Sequence, residues 1–237
     1  MTKNESLTQR KGLKRRGFLG TISAGALAAG FSMLKPLAAA AESSSQFNYS
    51  NGPDDWFNQI KGKHRIVFDA TEPLPMPVMP FAWPRIFLMS NMATGSQEKE
   101  CSVVMVLRHN AIPYAMDNTL WQKYKLGELF KINDPGTKAP ASQNPFWQPA
   151  PNAFQVPGVG EVAIGIDQLQ KSGVLFCVCD VAITVNSAAL AQQMNLDPAE
   201  VKKEWEAGIL PGIQIVPSGV WAINRAQEHN CSYCKAG

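Results

Sequence analysis

The sequence predicts an α/β layered domain on a mostly parallel sheet, and two features of its 237 residues carry that expectation. Several short apolar, β-branched runs show no in-and-out alternation, so each reads as a strand covered on both faces. Stretches of helical spacing lie between them, and strands alternating with helices imply parallel strands joined by crossover helices.

A leader precedes this domain. Residues 1–41 hold a basic region through Lys14, an apolar stretch from Phe18 to Leu34 and the small-residue run Ala38 to Ala41, the parts of a secretory signal in order. The segment Lys14-Arg15-Arg16-Gly17-Phe18-Leu19 has the paired arginines, spacer, Phe and Leu of a twin-arginine signal. Glycines and serines dilute the apolar stretch, which stops at Lys35-Pro36, so it is too weakly apolar for a spanning helix of about 20 residues. The expectation is a protein exported in folded form by the Tat translocase to the periplasm, with cleavage after Ala40 or Ala41. Of the 22 Lys and Arg in the chain seven lie in the leader, and of the 19 acids only Glu5 does, which leaves 15 basic against 18 acidic residues in the mature part. The precursor's basic balance therefore belongs to its leader, and nothing in the mature charge calls for nucleic acid or a membrane surface.

Residues 42–63 are polar and Ser/Asn/Gly-rich, which predicts a flexible mature N-terminal segment. The domain proper is expected at 64–237. His64 to Asp69 reads as a first strand, and the prolines from Pro73 to Pro84 exclude regular structure before a helix over 85–94. Cys101 to Arg108 is a second strand, and the spacing of Ile112, Met116, Leu120, Trp121 and Tyr124 predicts a helix over 112–125. The proline-rich stretch 131–160 reads as a long surface loop. A helix over 162–171 then leads to a third strand, Val174 to Cys179, followed at once by a helix over 181–194. Asp197-Pro198-Ala199-Glu200 opens the next helix, with Asp197 as N-cap and Pro198 in the first turn. A fourth strand over 211–217 and a final helix from Ser218 or Gly219 to about His229 complete the series.

In an open parallel sheet the ligand site lies beyond the carboxyl ends of the strands. Those ends carry Asp69, then Arg108 and His109, then Cys179 and Asp180, then Ser218. Each has a plain structural role open to it: Asp69 as a turn or cap residue, Ser218 as an N-cap, His109 as a hydrogen-bonded surface residue. Cys179 is the most informative, because a helix start immediately after a cysteine favours the reactive thiolate, which His109 or Arg108 would tune. Cys177 shares its strand face and is the natural resolving partner, whereas Cys101 reads as a buried, inert thiol. Cys231 and Cys234 form a Cys-x-x-Cys in what reads as a C-terminal tail, open to disulfide pairing, to metal binding with His229 or to a redox role. No cofactor is expected; the metal alternative is a four-thiolate site of Cys177, Cys179, Cys231 and Cys234.

The strand-Cys-helix segment from Gly173 to Ala182, the strand from Val103 to His109 and the step Pro217-Ser218-Gly219-Val220-Trp221-Ala222 together resemble the DsrE/DsrF-like sulfur-relay superfamily, in particular its exported twin-arginine members. The resemblance covers about residues 64–230. It implies a three-layer flavodoxin-like fold, the homo-oligomer that members often form, and a strand-end cysteine that takes up sulfur as a persulfide and hands it on, with a sulfur donor or acceptor protein as partner. Cys179 matches that cysteine, and Ala182 matches the small residue of the next helix. The Arg-Gly pair common in that helix has no counterpart in Thr184 to Ser187.

The expected function is sulfur transfer or thiol redox chemistry at Cys179. The alternatives are a non-catalytic periplasmic module that binds a small ligand or metal at the same rim, and a structural assembly component. Replacing Arg15 and Arg16 together by Lys should leave full-length precursor in the cytoplasm, read by fractionation and immunoblotting; normal export of that variant would remove the twin-arginine reading.

Overall fold

The computed structural model describes residues 52–73, 80–156 and 158–236, all within the unit Tyr49–Gly237. The leader with Arg15 and Arg16 lies outside the described residues. The chain passes through a 3-10 helix at Pro53–Gln59 into β1 (His64–Ala70), α1 (Ala82–Ala93), β2 (Cys101–Leu107), a 3-10 helix at His109–Ala115, α2 (Asn118–Tyr124) and α3 (Leu126–Leu129). A short hairpin, β3 (Gln155–Val156) with β4 (Gly160–Glu161), leads to α4 (Ile166–Lys171), β5 (Val174–Cys179) and α5 (Asp180–Met194). The rest is α6 (Pro198–Ala207), β6 (Ile213–Val216), α7 (Gly219–Glu228) and β7 (Ser232–Lys235).

Five strands form one sheet in the order β6-β5-β2-β1-β7, and every neighbouring pair is parallel. The unbroken apolar runs of β2 and β5 are buried along almost their whole length, as double coverage requires. On one face Phe68, Met105, Leu107 and Phe176 pack with Leu88 of α1, Trp121 of α2, Leu169 of α4 and Ile183 of α5. On the other, Val67, Val104, Val106, Cys177 and Val216 pack with Ala222 and Ala226 of α7 and with Phe57 and Ile60. The result is the three-layer α/β arrangement, flavodoxin-like in its layering, that the sequence predicts.

The steps from β1 to β2, β2 to β5 and β5 to β6 move across the sheet in one direction, with their helices on the Phe68 face. The return from β6 to β7 runs the other way, and its helix α7 lies on the opposite face. Right-handed crossovers require this exchange of faces. Neighbouring strands β5 and β6 thus send their carboxyl-terminal connections to opposite sides, and a crevice opens between the starts of α5 and α7.

Four expectations need correction. Residues 53–60 are no tether: Phe57 and Ile60 are buried, and Phe57 lies edge-on to Trp56 and Trp221 with centroids 4.9 and 5.6 Å away. Among the described residues α7 is the one long helix on that face, and this segment covers part of the remainder. The helix over 112–125 is divided: residues through Ala115, including Pro113, are 3-10, and Asp117 then caps α2 by accepting from the Leu120 N–H at 2.9 Å. The stretch 131–160 is no surface excursion, since Ile132, Ala141, Asn144, Phe146 and Phe154 are buried. Phe146 lies 4.7 Å from Phe81 and 5.0 Å from Phe154, centroid to centroid. Its irregular backbone still has to be satisfied. The Asn144 amide accordingly donates to the Tyr114 and Met116 carbonyls at 2.8 and 3.0 Å, and the Ala141 N–H donates to the Ile132 carbonyl at 2.9 Å. Finally, the C-terminal segment is a strand, paired from Ile66↔Ser232 to Asp69↔Lys235.

Phe57→Ala in the full chain should cost about 3–5 kcal/mol, the range for removing a buried phenyl group, measured by urea unfolding. A loss below about 1 kcal/mol would show that residues 53–60 are not part of the cooperative fold.

Candidate functional site

Register brings the strand-end residues together. Leu107 pairs with Val178 and Cys179 with Val216, so one residue beyond β2 Arg108 lies beside Cys179, about 4.8 Å away across the strands. Strand alternation sets Asp69, Arg108 and Cys179 on the α7 face, in the columns that carry Val67, Val106 and Cys177 into its buried cluster.

Cys179 is the N-cap of the 15-residue helix α5, and its Sγ accepts from the Ala182 N–H at 3.3 Å. Ser218 caps α7 in the same way, its Oγ accepting from the Trp221 N–H at 3.2 Å. Between the two caps is a crevice of about 250 Å³ whose walls include Arg108, His109, Cys179, Val185, Ser218 and Val220. Cys179 is only 6% exposed and forms part of its wall.

Asp69 is 2% exposed and is held from two sides. Arg108 donates through Nε and Nη2 to its two carboxylate oxygens at 2.7 and 2.8 Å, the bidentate geometry that makes such a pair strong. The Tyr233 hydroxyl donates to Oδ2 at 2.9 Å. The Asp69 hydrogen bond is the chief reason that the Arg108 guanidinium is held above its ordinary pKa, against the opposing effect of partial burial. The stem of Arg108 runs beneath the first residue of α7, where a Cβ on Gly219 would lie 2.6 Å from Arg108 Cδ and 2.7 Å from its Cβ. Only glycine lets that helix start so close to the arginine.

His109 follows with φ 55°, a left-handed conformation uncommon outside glycine. Its ring is 63% exposed at the crevice lip, and its Nε2 lies 3.3 Å from Glu72, which also accepts from the Asn110 amide at 2.8 Å. Five of the expected rim residues therefore do converge: Asp69, Arg108, His109, Cys179 and Ser218. Ser218 and Asp69 take the structural roles of helix cap and ion-pair partner.

Asp180 does not join them. As the residue after the cap it lies about 100° further round the helix, is 1% exposed and faces α6, with Oδ1 3.1 Å from Lys202 Nζ. Burial raises its pKa, against the opposing pull of Lys202. Cys177 is fully buried beneath α7, and burial pushes its thiol pKa up, so it packs as an apolar residue and is not placed to act as resolving partner. Cys101 is half-buried, with its pKa raised by burial and then by Glu100 and Glu98.

The C-terminal pair is also corrected. Cys231 is buried with the α7-face cluster, while Cys234 packs on the opposite face, so the two thiols lie on different sides of the sheet. All five cysteines are free thiols. The four-thiolate alternative fails on distance, because β7 and β5 are separated by β1 and β2, roughly 14 Å in all, against Zn–S bonds of about 2.3 Å. No group of three His, Cys, Asp or Glu suited to a metal occurs among the described residues; the His229 ring stacks on Phe57, 6.0 Å between centroids. Sequence reasoning missed Tyr233 and Gly219. Tyr233 lies in a four-residue, mostly exposed strand that carries no pattern of its own, and Gly219 was marked only as a glycine following a cap.

No family model matches the chain, and no curated protein matches it. A solved structure, that of a protein of unknown function, MTH1491 from Methanobacterium thermoautotrophicum, is 15% identical over 73% of this chain and 98% of that chain, with a TM-score of 0.33.

Gly219→Ala should lower the unfolding free energy by about 1–3 kcal/mol through the clash with Arg108, although alanine is the better helix former. Unchanged or higher stability would show that α7 does not confine that side chain. A pH effect follows from Cys231, whose thiol is pushed up to about 11 by burial. A group with a raised folded pKa contributes stability that is complete below its unfolded value and is lost as pH rises through the folded one. Unfolding free energy should therefore fall between about pH 9 and 11, and Cys231→Ala should flatten the decline. An unchanged slope in that variant would assign the decline to other groups.

Proposed function

We propose that this chain is an exported DsrE-like thiol protein whose Cys179 accepts and passes on sulfur as a persulfide, or exchanges with a partner's disulfide. The observation that carries the reading is the position of Cys179: N-cap of a long helix, in the wall of a crevice at the switch between β5 and β6, beside Arg108. Negative charge on Sγ, in a thiolate or a terminal persulfide, faces the Ala182 N–H and the Arg108 guanidinium. Attack on the outer sulfur of a donor R–S–SH forms a Cys179 persulfide and releases the thiolate R–S⁻; the reverse step hands the sulfur on. His109 at the lip is within the same crevice and, held by Glu72, is positioned to exchange a proton with the departing group. The paired arginines Arg15 and Arg16 support export, and the superfamily resemblance supports a homo-oligomer with a protein donor or acceptor.

Reduced full-length protein incubated with inorganic polysulfide should gain about 32 Da per captured sulfur, removed again by dithiothreitol and mapped by peptide mass spectrometry to Cys179. Cys179→Ser should abolish that gain and Cys177→Ser should keep it. Sulfur found on Cys101 or Cys234 with none on Cys179 in the folded protein would defeat the reading.

A further inference from the structure

The crevice at Cys179 is chemically two-sided, and this bears on what can enter it. Its polar side has Arg108 and the first turns of α5 and α7, two helices of 15 and 10 residues. Cys179 and Ser218 occupy the N–H groups of Ala182 and Trp221, while the N–H groups of Val181 and Val220, one position earlier in each helix, have no acceptor within their helices. Its other side is apolar: Val181, Val185 and Val220 are 46, 56 and 65% exposed around it. Among the described residues lining it there is no carboxylate. The Cys179 thiol is more than nine-tenths buried there and, among the described contacts, its S–H has no acceptor.

A thiol so recessed is reached by a small molecule more readily than by a persulfide on a folded protein surface. The N–H groups at the two helix starts, with the Arg108 guanidinium whose charge Asp69 shares, select an anion with oxygen acceptors. Exposed valines select an apolar group attached to it. We propose that the sulfur donor is a small organic thiosulfonate, R–SO₂–S⁻, with R against the valines and the sulfonyl oxygens toward Arg108 and the two helix starts. The proposal rests on the assignment of Cys179 as sulfur acceptor. Cys179 Sγ forms a bond to the outer sulfur; the bond from that sulfur to the sulfonyl sulfur breaks, and its electron pair leaves on the sulfinate. The thiol proton ends on the new persulfide, so R–SO₂–S⁻ and Cys–SH give R–SO₂⁻ and Cys–S–SH with no added oxidant or reductant. The sulfinate departs as the same kind of oxyanion that the polar wall accommodates.

The test uses reduced full-length protein and three donors: benzenethiosulfonate, inorganic thiosulfate, which lacks the apolar group, and dimethyl trisulfide, which lacks the charge. Modification of Cys179 is followed by peptide mass, as a persulfide from the two anionic donors and as a methyl disulfide or trisulfide adduct from dimethyl trisulfide, whose leaving group is methyl persulfide or methanethiol, and each rate is divided by that of the same donor with free N-acetylcysteine. Benzenethiosulfonate should exceed both others by about tenfold or more, the equivalent of about 1.4 kcal/mol of added recognition, with one benzenesulfinate released per sulfur captured. The ratio of benzenethiosulfonate to dimethyl trisulfide should fall with Val185→Asp and rise with Val185→Lys, with Val185→Asn between them. Equal normalised rates, or a ratio indifferent to the charge at position 185, would overturn the donor class while leaving Cys179 as the acceptor. Absence of sulfur on Cys179 from every donor would overturn both.

Discussion

The bidentate pair between Asp69 and Arg108 is the constraint on which the carboxyl-terminal rim is built. A carboxylate 2% exposed is costly unless paired and fully hydrogen-bonded. Arg108, just beyond β2, and Tyr233 of β7 meet that need, and the Asp69 carbonyl accepts from the Ala236 N–H at 2.8 Å. Three strands, β1, β2 and β7, are thereby tied at one level. The pair also draws the Arg108 side chain along the sheet, so α7 must start directly over it, and Gly219 is the residue that permits this. Where α7 starts decides where Ser218 sits, and hence the width of the crevice opposite Cys179.

Capping decides the chemistry on the other side of that crevice. Because Cys179 acts as N-cap, its sulfur is held against the first turn of α5 and is turned away from the sheet interior. The same geometry commits Asp180 to the α6 side, where Lys202 answers its charge. Two adjacent residues of reactive type thus have opposite fates, one opening on the crevice and one closed between helices.

The five cysteines show how much environment outweighs residue type. Cys177 is a core residue under α7, and Cys231 is a buried one near the sheet edge. Cys101 and Cys234 are half-buried, and Cys234 lies on the opposite face from Cys231. Cys179 alone lines the crevice among the described residues. The spacings Cys-x-Cys and Cys-x-x-Cys suggest two pairs, but in strands they place one pair on one face and split the other across the sheet.

By itself the sequence determined the α/β class, the central strands and the strand-end residues, because apolar runs bounded by caps and turn residues are local signals. Asp117 is a cap that local reading passed over, whereas Asp197, Cys179 and Ser218 stand at helix starts where the sequence places them. The partners of those residues were decided by tertiary structure alone. Asp69 meets Arg108 across 39 positions and Tyr233 across 164, and Phe146 meets Phe81 across a stretch that reads as loop. The strand β7 has only four residues, mostly exposed, and no periodicity marks it. It exists because β1 offered an open edge, and a row of unpaired backbone groups on one strand leaves no trace in the sequence of the segment that comes to satisfy it.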